Sequence, residues 1–236
     1  MNKIRLRRFL VKDLLVHDGV CVITGGEARH ISKVLRMVQG DHLIILDGKG
    51  ARFLAEISSI SHQGVRVEIK KPLPVPPPSP VDITLCQAVI KSGPMDYLIQ
   101  KTSELGVNRI YPFISSRTVV HFQPDNHRKK LRRWREIAHN AAKQCNRAIP
   151  AEIGPLETFE GQLASREQES GLKAILWEGE TSKDLKTLLQ SHGPCAGFTG
   201  MVGPEGGFSP EEVSTAQKAG FIPVSLGARI LRSETA

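Results

Sequence analysis

MVGPEGGFSPEE, residues 201–212, places three glycines and two prolines between an apolar run and a polar segment. The preceding AGFTGMV reads as a strand. Ser209 is a natural N-cap, Pro210 a natural first helical residue, and Glu212 falls where a capping box needs an acceptor. The stretch therefore reads as strand, glycine loop, helix, the unit from which α/β folds are assembled. Such loops bind ligands at the carboxyl edge of a parallel sheet. Phosphate fits poorly here. Neither GxxxxGK[ST] nor GxGxxG is present, no lysine lies nearby, and Glu205 sits in the middle. Backbone groups plus one carboxylate suit a nucleoside-like or cationic ligand better.

The same alternation extends to either side. VDITLCQAV is followed by helical MDYLIQKTSEL, stopped by Gly106, and then by strand VNRIYPFI. A basic helix spans about His127 to Asn146. KAILWE reads as a strand, Lys183–Leu189 as a helix, and FIPVSL as a strand after the helix that begins at Pro210. The order implies a mostly parallel sheet with covering helices. Two further loops follow late strands: Trp177-Glu178-Gly179 and Leu226-Gly227-Ala228-Arg229. The chain's last segment, SLGARILRSETA, concentrates Arg229, Arg232, Ser233, Glu234 and Thr235.

PLPVPPPSP, Pro72 to Pro80, holds six prolines in nine residues and can be neither helix nor central strand. It marks a boundary: residues 1–72, a linker at 73–80, and an α/β domain at 81–236. The first part reads as short strands. HLIILDGKGARFLAEISSI turns at Asp47-Gly48, and VRVEIK alternates apolar and polar residues. GGEARHISKVLRM reads as one short helix with Ile31, Val34, Leu35 and Val38 on its apolar face. Together they suggest a small β-barrel.

The 236 residues carry a net charge of +8, unevenly spread. Residues 1–72 have 13 Lys/Arg against 7 Asp/Glu, residues 73–150 have 12 against 5, and residues 151–236 have 7 against 12. A polyanion held by the basic part is the natural expectation. No apolar run spans a membrane or forms a signal core, so a cytoplasmic protein without a membrane partner is expected. Cys21, Cys86, Cys145 and Cys195 are widely spaced, which suits free thiols. His121, His127 and His139 lack carboxylates at ligand spacing, so no metal is expected.

MVGPEGGFS (201–209), LGARILRSETA (226–236) and QKTSELGV (100–107), together with AAKQCNR (141–147), HISKVLRM (30–37) and the opening RRF, resemble the RsmE family over nearly the whole chain. These are SPOUT-class 16S rRNA methyltransferases acting on N3 of a uridine in the decoding region. The resemblance implies a PUA-like barrel joined to a trefoil-knotted α/β domain, S-adenosylmethionine as donor, a homodimer, and 16S rRNA or the 30S subunit as partner. The family continues for a further helix beyond the point matching Ala236. Donor binding and dimerisation are expected to depend on that helix.

On this resemblance the donor site comprises Leu176, Trp177, Glu178, Gly203, Pro204, Glu205, Gly206, Gly207, Ser225, Leu226, Gly227, Ile230 and Leu231. Arg232 is the candidate to stabilise charge on the uracil carbonyls, with Glu234 orienting it or moving the proton. Arg5, Arg7, Arg8, Arg29, Lys33, Arg36 and Arg147 are candidate RNA contacts. RKKLRRWRE offers a second basic surface through Arg128, Lys129, Lys130, Arg132, Arg133 and Arg135. Two other classes stand beside this reading: a non-catalytic rRNA-binding or assembly protein, and a nucleotide-binding α/β enzyme that the missing phosphate-loop lysine disfavours.

Overall fold

The computed structural model describes residues 6–11, 14–77, 79–120 and 124–236. Arg5 and His121 lie outside these residues. The chain divides into two compact units. One contains the residues up to Pro77 together with Ala142–Pro150; the other contains Pro78–Ala141 and Ala151–Ala236.

In the first unit, β1 (Arg7–Leu10), β2 (Val20–Ile23), β3 (His42–Leu46), β4 (Arg52–Ser61) and β5 (Gly64–Pro72) form one sheet in the order β1-β3-β4-β5-β2. β1 pairs parallel with β3, and the other neighbours are antiparallel. Phe9, Ile23, Ile31, Ile45, Ile57 and Val67 are buried in one cluster, so both edge strands share one core. Asp47 Oδ1 accepts the N–H groups of Lys49, Gly50 and Ala51 at 2.8–2.9 Å, which fixes the β3–β4 turn. β1 and β2 escape the alternation test because four residues are too few to show a period.

The expected single helix over GGEARHISKVLRM is two pieces. α1 (Gly25–Arg29) runs directly into a π-helical turn, His30–Val34. There Leu35 N–H reaches back to His30 O at 2.9 Å. The wider turn rotates later side chains out of the α-helical register. Ile31 stays buried, whereas Val34 and Val38, expected on the apolar face, are 68% and 61% exposed.

The second unit is an all-parallel seven-stranded sheet. β6 (Asp82–Ala88), β7 (Arg109–Ile114), β8 (Glu152–Ile153), β10 (Leu172–Leu176), β11 (Gly197–Val202) and β12 (Ile222–Val224) run in the order β12-β10-β11-β6-β7-β8, and β9 (Glu157–Thr158) adds to β7. Helices α2 (Ser92–Leu105), α3 (Pro124–Cys145) and α5 (Leu185–His192) cover one face, and α4 (Phe159–Arg166) and α6 (Pro210–Lys218) the other. α2 ends at Gly106, whose φ of +110° suits glycine. β8 and β9 are too short to show a period in the sequence, and α4 buries polar Gln162 and Arg166 beside Phe159 and Leu163, although Thr158 caps it by accepting Gly161 N–H at 3.1 Å.

Phe208 anchors the glycine loop. It is 2% exposed and lies 6.3 Å from Phe113, nearly parallel to it, and 5.9 Å from Phe159. Burying a ring of this size stabilises by several kcal/mol, and truncation to alanine costs about 3–5 kcal/mol. Among the described residues no helix is long and apolar enough to cross a membrane.

In the first unit, Gly64 is the least replaceable residue of the β4–β5 hairpin. Its φ is +149°, and a Cβ there would run into the carbonyl oxygen of Ile23 on β2. Gly64→Ala is expected to destabilise by at least about 1–3 kcal/mol, the range for a strained backbone position. Urea denaturation of the full chain checks this.

Candidate active site

Three adjacent parallel strands, β12, β10 and β11, each end in a loop, and the three loops line one cleft of about 1050 Å³. The sheet changes direction here, since β11 lies between β10 and the earlier β6. Ligands bind at such switch points because the loops on either side diverge and leave a crevice.

The β10 loop begins at Trp177, whose N–H donates to Val224 O at 3.0 Å. The Trp177 ring folds over Gly179, where a Cβ would come within 2.5 Å of it. Glu180 Oε1 accepts the Ser182 hydroxyl at 2.6 Å and the N–H groups of Ser182 and Lys183. These bonds, the Ser182 hydroxyl first, hold the Glu180 carboxyl below the usual carboxylate range. Asp184 caps α5 through Thr187 N–H at 2.9 Å. Ser225 N–H then donates to Lys183 O at 2.9 Å, stitching the β12 loop to the β10 loop.

The β11 loop is the glycine stretch. Gly207 has φ +65°, and the Glu178 carboxylate packs so closely that a Cβ would lie 2.7 Å from Oε1. The left-handed φ favours glycine, and any Cβ would also displace the Glu178 carboxylate. Gly203 packs on the Phe208 ring and allows no larger side chain without displacement. Arg117 Nη1 donates to the carbonyls of Gly206 and Phe208 at 3.0 and 3.3 Å. The capping box forms as the spacing requires: Ser209 N–H donates to Glu212 Oε2 at 2.9 Å, and Glu212 N–H to Ser209 Oγ at 3.2 Å. Glu205, which seemed free to meet a ligand, accepts Lys91 N–H at 3.0 Å at the start of α2.

The β12 loop continues to Ala236. Gly227 turns it at φ +92°. Arg232 O accepts the N–H groups of Thr235 and Ala236 at 2.8 and 3.0 Å. Ser233 is buried; its hydroxyl donates to Gly203 O at 2.6 Å and accepts Gln87 Nε2 at 3.0 Å. The last turn is thereby fastened to the ends of β11 and β6.

Of the expected donor-site residues, Leu176, Trp177, Glu178, Gly203, Pro204, Glu205, Gly207, Ser225, Leu226, Gly227, Ile230 and Leu231 line this cleft. Gly206 does not: a Cβ on it would meet the Arg117 side chain. Arg232 and Glu234 are both on the lining, with no hydrogen bond or ion pair between them among the described residues. The sequence reading overlooked Lys91, Thr181, Ser182 and Asp184, which also line it, and Gln87 and Arg117, which brace it. Asp184-x-x-Thr187 was a legible capping pattern; Gln87 carries no local signal. Glu178, Glu180, Asp184, Glu205 and Glu234 outnumber Lys91, Arg229 and Arg232 on the walls. That charge disfavours a phosphate and suits a ligand with a positive centre.

The candidate RNA contacts fall in the first unit. Arg29 and Lys33 are exposed on the α1–π run, and Arg36 is exposed just beyond it at φ +50°. Arg7 is exposed and Arg8 half-buried on β1, and Arg147 is half-buried just after α3. On α3, Arg133 is committed to Asp96 at 2.6 Å, Arg132 to Glu136, and Arg135 to the carbonyl of Ile153. Arg128 and Lys129 remain exposed.

Residues 77–236 match the family model for an RNA methyltransferase domain, and residues 23–70 that for an RNA methyltransferase PUA domain. The chain is 32% identical to the ribosomal RNA small subunit methyltransferase E of Buchnera aphidicola, covering 98% of this chain and 90% of that protein. The chain belongs to the ribosomal RNA small subunit methyltransferase E family. A Bacillus subtilis member is 30% identical over 96% of this chain and 90% of its own length. The Neisseria gonorrhoeae member, solved bound to S-adenosyl methionine, superposes with a TM-score of 0.89 at 31% identity, covering 98% and 93% of the two chains.

The Ser233 hydroxyl is the most economical test of how the methyltransferase E cleft is closed here. Ser233→Ala leaves the Gly203 carbonyl and the Gln87 amide without this partner, at a cost of about 1–3 kcal/mol. Ser233→Thr, which keeps the hydroxyl, is expected to stay near the parent. Urea unfolding of both variants separates lost hydrogen bonding from a general intolerance of change.

Proposed function

We propose that the protein transfers the methyl group of S-adenosylmethionine to N3 of a specific uridine in the decoding region of 16S rRNA, in the 30S subunit. The observation that carries this reading is the acidic, glycine-walled cleft built from the Gly203–Gly207 and Leu226–Ala236 segments. The residues fit the donor. Gly207 leaves room against Glu178, Trp177 and Leu226 offer apolar surface, and the carboxylates favour a sulfonium over a phosphate. When bound, S-adenosylmethionine supplies a methyl group on positively charged sulfur.

The chain's own residues then account for the other half of the reaction. Uridine N3 carries a proton at neutral pH, which must leave as the N–CH3 bond forms. The S–CH3 electron pair stays on sulfur. Arg232 stabilises negative charge on the uracil carbonyls, and Glu234 assists proton transfer. The placement of both residues on the wall of the same cleft supports this. Residues 1–72 serve as a PUA-like RNA-binding barrel, 73–80 as a linker and 81–236 as a trefoil-knotted catalytic domain. Arg7, Arg8, Arg29, Lys33, Arg36 and Arg147 meet RNA phosphate. The working form is a cytoplasmic homodimer.

Arg232→Ala is expected to lower methyl transfer at least about 100-fold, the scale of one lost charge-stabilising donor. The Kd for S-adenosylmethionine, read by calorimetry, stays within a few-fold of the parent. Retained turnover would remove Arg232 from the mechanism. Mass spectrometry of 16S rRNA from cells lacking the gene is expected to show loss of N3-methyluridine. Unchanged modification would leave a binding or assembly protein as the reading.

A further inference from the structure

Two arginines of the first unit share one face of its sheet without an ion-pair partner among the described residues. The face of the sheet opposite the main core carries Leu10, Ile44 and Leu46, packed with Leu6 and Leu73. On β1 the alternation puts Arg8 on that face with Leu10, and Arg8 pairs with Ile44. On β4, Arg52 lies opposite Leu46 and therefore shares the face. Arg52 is 8% exposed. Its Nη1 donates to Pro74 O at 2.8 Å and its Nη2 to Asn146 Oδ1 at 2.9 Å, both neutral acceptors. The Nε atoms of Arg8 and Arg52 are closed to solvent and have no hydrogen-bond partner. No ion pair involves either guanidinium among the described residues. Burial first, and then the Arg8 charge, push the Arg52 guanidinium below its ordinary pKa.

A buried cation beside a like charge is costly unless an anion arrives from outside. Three acids of the first unit are engaged elsewhere. Asp47 is spent on its turn, and Glu56 pairs with Lys70 at 3.0 Å. Glu27 pairs with Lys143 at 2.6 Å. The Arg52 guanidinium is held rigidly by two bonds, whereas the Nη groups of the half-buried Arg8 have no hydrogen-bond partner among the described residues. We propose that Arg8 and Arg52 form an anion site that holds one phosphate of the RNA backbone, with Arg8 in direct contact and Arg52 as the fixed charge behind it. This deepens the RNA-binding reading above and rests on it for the source of the phosphate. Arg52 becomes a binding determinant that touches no ligand.

The test is binding of a 16S rRNA transcript to the full chain across a sodium chloride series. Arg8→Gln is expected to weaken binding several-fold and to lower the slope of log affinity against log salt by about one. Arg52→Gln is expected to weaken binding, and Arg52→Lys to restore most of it. Because both act on one phosphate, the double variant Arg8→Gln/Arg52→Gln loses about one unit of slope rather than two. Where Arg52→Gln fails to fold, Arg8→Gln alone decides, since Arg8 holds no described contact through its Nη groups. An unchanged slope in Arg8→Gln overturns the proposal. Inorganic phosphate that raises the melting temperature of the parent but not of Arg8→Gln, with RNA binding unaffected by the variant, also overturns it and marks a free-anion site. Affinity for S-adenosylmethionine, unchanged in Arg8→Gln, shows separately whether the methyltransferase reading holds.

Discussion

The bond from the Ser233 hydroxyl to the Gly203 carbonyl joins the last turn of the chain to the loop after β11. The loops after β10 and β12 are stitched to each other by the Ser225–Lys183 backbone bond, and the Ser233 bond adds the loop after β11 to them. With Gln87 donating to the same hydroxyl, the end of β6, the glycine loop and the Arg232–Ala236 turn become one polar joint that is closed to solvent. Such a joint is expensive to leave half-made, because each buried partner would lose part of its compensation for lost water. The positions of Arg232 and Glu234 on the cleft wall follow from it, since they flank the residue that is tied down.

The glycine loop is held from the other side by unlike forces. Phe208 is packed between two phenylalanines, and Arg117 pulls on the Gly206 and Phe208 carbonyls. Glu212 both closes the α6 capping box and accepts Ser116 N–H at 2.9 Å, so a helix cap doubles as a brace to the segment after β7. Glu205 caps the start of α2 through Lys91. Its charge still argues against phosphate, and the fold adds what the sequence could not show: the carboxylate is part of the scaffold of the loop.

What could be read in the sequence was local. The Ser209-Pro210-x-Glu212 cap, the Asp47-Gly48 turn and the Gly106 stop each depend on a few adjacent residues, and each stands as read. The parallel alternation was legible because strands buried on both faces are long apolar runs. Four-residue β1 and β2 and two-residue β8 and β9 hold too few positions for a period to emerge, and α4 is hidden because Gln162 and Arg166 stand on its buried face. Val34 and Val38 misled because one π turn shifts the register without changing composition. Gly206 looked equivalent to its neighbours, yet only the fold shows that it faces Arg117. Gln87 and Arg52 are invisible in one dimension: each is a lone polar residue in a strand, and its importance lies in what packs around it.

The strand order has a consequence for how the chain reaches this state. β6 pairs with β11 along its whole length, Asp82 opposite Gly197 and Gln87 opposite Val202. The central ladder of the sheet must therefore wait for strands far apart in sequence, with β7, β8, β9 and β10 already made. Closing so large a loop is entropically slow, and rates fall as contacts become less local. The cleft is built on that ladder. The β6 edge that β11 covers therefore stays open until β7, β8, β9 and β10 have been synthesised and β11 follows them.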